Sequence, residues 1–151
     1  MTDAASGGEV DALSIVREII RRSGHEIRNA LNGVAVNVEV VRSRSGREGA
    51  GGAADSFAQR AASDIAKATA LTNGTLAIVD AVLAAAAGGT LRSKRGYGNA
   101  GEIALPIYGE RAPIFVSDIG RLAKDIGVSV EQQEQLIILR VLPEDKSHSE
   151  N

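Results

Sequence analysis

The run EVDALSIVREIIRRSGHEIRNALNGVAVNVEVVRSRS, Glu9 to Ser45, decides the fold. It contains no proline and two internal glycines, Gly24 and Gly33, and Ser6 stands three residues before Glu9 in a capping-box pattern for a helix start. Leu13, Val16, Ile20, Gly24, Ile27, Leu31, Val34, Val38 and Val41 follow one another at steps of three or four. That spacing predicts one long helix with an apolar seam along one side. A seam of this length requires partners.

Working outward, residues 45–54 (SGREGAGGAA) have the composition of a flexible connection and interrupt the periodicity, so the chain is expected to turn back there. Asp55 to Ala87 reads as a second helix, with Phe57, Ala61, Ile65, Ala68, Leu71, Val79, Val82 and Leu83 on an alanine-rich apolar face and Gly88-Gly89 as its stop. The predicted fold is mainly α. After a flexible N-terminus of residues 1–8, residues 9–89 form an antiparallel helical hairpin, and two copies dimerise into a four-helix bundle that buries both apolar faces. In the alternative, the C-terminal third covers the seam within one chain.

Residues 90–101 read as a Gly/Arg/Lys/Ser linker, followed by a small α+β subdomain over 102–143 and a disordered tail over 144–151. Within it, Ile103 to Tyr108 and Pro113 to Val116 have strand composition, and Asp118 to Ile126 is a helix candidate capped by Ser117. Leu136 to Leu142 suits a buried strand, although Val130 to Leu142 also admits a helix. Leu122 to Ser129 has the Ala and Gly placement of a helix-turn-helix. The following Val130 to Leu136 holds two acids and no base, which is poor chemistry for DNA phosphates.

Composition narrows the classes. Aromatics are 3% of the chain, which favours aliphatic helix packing, and the lack of cysteine excludes disulfides, thiolate metal sites and thiol catalysis. A net charge of −2 argues against nonspecific nucleic-acid binding. No continuous apolar run approaches the roughly 18 residues that span a bilayer. The expectation is a soluble cytoplasmic protein with no membrane partner, whose initial Met and polar ending look like natural termini.

The chemistry lies in Gly24-His25-Glu26-Ile27-Arg28-Asn29-Ala30-Leu31-Asn32. At 3.6 residues per turn, Arg21, His25, Asn29 and Asn32 stack on one stripe with Arg22 and Arg28 beside it, off the Ile20/Ile27/Leu31 seam. His25 is therefore expected to be exposed, a nucleophile near guanidinium groups that favour phosphate. An isolated histidine on a charged helix face is ordinarily a plain surface residue, and Glu26 and Arg28 alone are ordinarily solvated charges. The combination outweighs that reading, because these residues resemble the H-box of two-component histidine kinases: His, Glu, an aliphatic residue, Arg, Asn, and Leu two further on.

The resemblance is strongest over Gly24 to Val34, with a looser similarity of helix pattern over Glu9 to Ala87. It implies a dimerisation and histidine-phosphotransfer hairpin in which His25 accepts a phosphoryl group. Glu26 then takes a proton or orients the ring, Asn29 places a water for dephosphorylation, and Arg21, Arg22, Arg28 and Asn32 line the partner and phosphate surface. Ala30 stands where many such kinases carry proline, so the proline kink is expected to be absent or reduced.

An ATP lobe needs well over the about 60 residues that follow Gly89, and its nucleotide motifs are not recognisable. Residues 116–126 faintly resemble the strand and helix that open such a lobe, without the paired asparagines. The C-terminal third is thus expected to resemble the vestigial lobe of dedicated phosphotransferases. The implied partners are a response-regulator receiver domain, a donor histidine kinase and a second copy of the chain. No intrinsic cofactor or metal is implied, and any magnesium would belong to the receiver. Two other classes stay open: a non-catalytic dimeric scaffold that sequesters a receiver or kinase, and a helix-turn-helix regulator.

Overall fold

The computed structural model describes residues 3–44, 51–98, 100–106 and 112–144. In chain order its elements are α1 (Asp3–Arg44), α2 (Gly51–Ala87), β1 (Arg92–Arg95), β2 (Gly101–Pro106), α3 (Ala112–Ile126), β3 (Val128–Gln133) and β4 (Leu136–Val141). The protein is mainly helical with a small sheet. α1 and α2 run antiparallel: the Ser23 hydroxyl bonds the Thr75 hydroxyl, Glu26 pairs with Lys67, and Gly33 leaves room for Asp64.

Both long helices exceed their expected bounds. α1 begins at Asp3, inside the segment expected to be flexible, and α2 begins at Gly51 rather than Asp55. Ala53 and Ala54 supply helix propensity that offsets the neighbouring glycines. The expected turn at 45–50 lies outside the described residues. α2 ends in a Schellman cap, in which Gly89 adopts φ +69, Gly89 N donates to Ala86 O at 3.2 Å and Thr90 N donates to Ala85 O at 2.9 Å.

The C-terminal third departs further from expectation. The supposed linker contains β1, whose register against β2 runs from Arg92↔Ala104 to Arg95↔Gly101. Pro113 to Val116 is not a strand but the start of α3, and Ser117 lies inside that helix. Proline is tolerated in a first helical turn, where its missing N–H has no partner to lose. Ile119, Leu122, Ala123 and Ile126 give α3 its buried face at helical spacing.

β3 occupies the segment that the helix-turn-helix reading needs as a recognition helix, so that reading falls. Val128 and Val130 alternate with Ser129 and Glu131 at the period of a strand. Gly127 at φ +68 makes the abrupt change from α3 to β3. Leu136–Val141 is a strand, as its composition predicts. Residues 145–151, most of the expected tail, lie outside the described residues.

The sheet is wholly antiparallel in the order β1-β2-β4-β3. One face carries Ile103, Leu105, Ile137, Leu139 and Val141 into a core with α3, the first half of α1 (Ile15, Val16, Ile19) and the second half of α2 (Leu71, Ile78, Val82, Ala85). The opposite face is mixed, with Ile138 buried beside Arg140, which bridges Glu102 at 2.9 Å and Glu131 at 2.6 Å.

The C-terminal third therefore covers part of the hairpin but only the edge of the side read as the seam, with Ile27 packed half-buried against the core. Of that seam, Val16 is buried, whereas Leu13, Ile20, Leu31 and Val38 face solvent. The single-chain core uses the adjacent stripe, Ala12, Ile15, Ile19 and Ser23. α2 also has exposed apolar residues, Ile65, Leu76 and Leu83. Its Gly52–Ala87 portion is long and apolar enough to cross a bilayer by length and composition alone, although polar residues interrupt it. Alanine-rich helices in the cores of soluble proteins have the same character.

Candidate functional site

Three residues before His25, Arg22 joins the hairpin to the C-terminal subdomain. Its guanidinium is buried and fully engaged: Nε donates to Glu18 Oε1 at 2.9 Å, Nη1 to Ile126 O at 3.2 Å and Gly127 O at 3.3 Å, and Nη2 to Leu142 O at 2.8 Å. Ile126 O belongs to the last turn of α3, where carbonyls lack helical partners and a cation is favoured. Gly127 permits the approach, since a Cβ there would lie 3.3 Å from Arg22 Nη1. Arg22 thus lies inside a structural junction rather than beside the exposed stripe.

Arg21 stays on the exposed stripe but is also paired. Nε and Nη2 grip Glu18 at 3.1 and 2.7 Å, and Nη2 also bonds Glu144, just beyond β4. The hydrogen bonds from Arg21, reinforced by those from Arg22, hold the Glu18 carboxyl below its ordinary range against the opposing effect of burial. Glu18, followed by Glu144, raises the Arg21 guanidinium further into its charged form.

His25 is exposed and makes no hydrogen bond among the described residues. Arg21 and Arg22 lie one turn before it on α1, the direction in which helical side chains lean. His25 borders a cleft of about 270 Å³. The α1 wall of this cleft is Arg21, Arg22, His25 and Glu26, and the subdomain wall is Asp125, Ile126, Gly127, Pro143 and Glu144. Glu26, half-buried, pairs with Lys67 of α2 at 3.5 Å.

Arg28, Asn29 and Asn32 are exposed but do not line the cleft; they continue the surface towards the far end of the hairpin. On the same stripe, seven residues beyond Asn29, Val36 is 64% exposed. Sequence reasoning missed Val36 as a surface group and missed Asp125, Pro143 and Glu144 altogether. The i,i+4 spacing of Glu18 and Arg22 was a usable signal for that pair. Nothing local marks the long-range members.

On the other flank of the hairpin, Ile27, Leu31, Ile65, Ala68 and Thr72 line an apolar groove of about 290 Å³. Among the described residues no cluster of three or more His, Cys, Asp or Glu could hold a metal ion. Comparison of the chain with protein-family models, curated proteins and solved structures finds no match.

Proposed function

We propose that the protein is a dimeric phosphorelay component in which His25 exchanges a phosphoryl group with the aspartate of a response-regulator receiver, without binding ATP itself. The observation that carries this reading is the placement of His25. Its imidazole is exposed and unbonded, on a stripe separate from both the single-chain core and the apolar seam, and its neighbours have the H-box residue types.

In the forward step a ring nitrogen attacks the phosphorus of the receiver's aspartyl phosphate. An N–P bond forms, the O–P bond breaks, the aspartate leaves as carboxylate, and Glu26 accepts the ring proton. Magnesium stays on the receiver. Asn29 places a water for the separate step of dephosphorylation, in which water attacks phosphorus and inorganic phosphate leaves. Arg28, Asn32 and Val36 extend the partner surface beyond the reacting group, with Val36 as its apolar contact.

The seam residues Leu13, Ile20, Leu31 and Val38, with Ile65, Leu76 and Leu83 of α2, form the face on which a second copy packs into a four-helix bundle. Incubation of the full chain with phosphorylated receivers tests the function. Acid-labile label on His25 that disappears in His25→Ala is the expected result, and no transfer from any receiver of the source organism overturns it. A non-catalytic scaffold is the second reading, favoured by the carboxylates Asp125 and Glu144 in the cleft wall, which oppose a phosphoryl dianion. Receiver binding that survives His25→Ala without any label selects it.

A further inference from the structure

Glu144 lines the same cleft as His25. It enters the cleft from just beyond β4, 123 residues from Arg21 in the chain, and bonds Arg21 Nη2; its nearest approach to Arg22 Nε is 3.7 Å. Arg21 is the exposed guanidinium that shares this cleft with His25, one turn before it on α1. Arg22 is consumed by backbone carbonyls, so Arg21 is the cleft cation able to change partners. The other charged groups facing this point are Glu18, Glu26 and Asp125.

We infer that Glu144 is a resident carboxylate that occupies Arg21 at rest and is displaced when a phosphoryl group arrives on His25, so that this one side chain gates the site. This rests on the phosphotransfer reading above. A phosphoryl dianion and the Glu144 carboxylate cannot share one guanidinium without repulsion, and Asp125 adds to it. Removing the resident charge frees Arg21. Conversely, phosphorylation releases Glu144 from Arg21.

The test uses the full-length chain and phosphoramidate, a small donor that needs no partner. Its N–P bond breaks, one forms to His25, ammonia leaves and the ring proton passes to solvent. Glu144→Gln should label about 2–5-fold faster than the parent, the scale of an exposed ion pair. The gain should shrink in ~1 M salt and vanish in an Arg21→Ala background. Asp125→Asn removes the same charge without touching Arg21 and should gain less.

Equal rates for the parent and Glu144→Gln, or equal gains for Glu144→Gln and Asp125→Asn, overturn the gate while leaving His25 chemistry intact. Absence of label on His25 in every variant is a different result: it overturns the phosphotransfer reading and the gate with it.

Discussion

The near and far halves of the hairpin use the same helices and reach opposite ends. In the near half, Ile15, Val16 and Ile19 of α1 and Leu71, Ile78 and Val82 of α2 are buried under the sheet and α3. In the far half, the buried apolar residues are Ala30, Ala61 and Ala68, while Leu31, Val38 and Ile65 are each 51% exposed. Alanine lets two helices approach closely but removes little hydrocarbon from water. The near half thus has a core of large side chains within one chain, with Leu13, Ile20, Leu76 and Leu83 left on its outer face, whereas the far half buries alanines and leaves its large side chains in solvent.

The most drastic way to break this comparison is Leu31→Glu with Val38→Glu. The parent is expected to sediment at about twice its 15.6 kDa chain mass and the double variant at the single mass, with the near half still folded by circular dichroism. A parent that sediments as one chain removes the dimer. If the variant loses its folded structure, the far half is part of the single-chain fold after all.

Next in size is Arg22→Ala, expected to cost about 3–5 kcal/mol in urea unfolding, because Glu18 and the carbonyls of Ile126, Gly127 and Leu142 lose their common partner. A cost below about 1 kcal/mol would mean that water replaces the guanidinium readily.

A glycine pair sharpens the contrast. In Gly101→Ala the new Cβ would lie 2.6 Å from Ile15 Cδ1 and 3.2 Å from Lys94 O, within the packed near half, and about 1–3 kcal/mol should be lost. In Gly33→Ala the Cβ would lie 2.5 Å from Asp64 Oδ2, the end of a side chain that can swing away. The gain in helix propensity, about 1 kcal/mol, should leave that variant near neutral. Equal costs would mean the two halves are equally tight.

The smallest effect concerns acid. The folded Glu18 carboxyl titrates below its ordinary value of 4.5, so its contribution is present above that pH and is lost as pH falls towards the lowered folded value. Glu18→Gln should flatten the stability profile there and lower the plateau at neutral pH. A parallel profile displaced downward would assign the acid sensitivity to other carboxylates.

The hairpin was legible because its period is local. Leu13 to Val41 repeat at helical spacing, and Gly88-Gly89 marks a stop that the backbone makes with Gly89. The side chosen by the single-chain core was not legible. Ile15 and Ile19 lie next to Leu13 and Ile20, and only the long-range arrival of β2 and β4 decides between the stripes. The short C-terminal elements misled for a related reason: Pro113 to Val116 is apolar and β-branched in part, yet the buried face of Ile119, Leu122 and Ile126 extends the helix back over it. The exposed face of His25 followed from helix geometry, whereas Glu144 lies 119 positions further along the chain with no local mark.

One pair of hydroxyls has a bearing on motion. Ser23 and Thr75 place two hydroxyls against each other between α1 and α2, with Thr75 Oγ1 also donating to Leu71 O at 2.7 Å. Sliding either helix by a residue would part the two hydroxyls and leave the buried Ser23 oxygen without this partner, at about 1–3 kcal/mol, while Thr75 keeps its bond to Leu71 O. The hairpin is keyed against shear at the height of the imidazole. Any input that repositions His25 must therefore roll the two helices as a unit or unseat the key first.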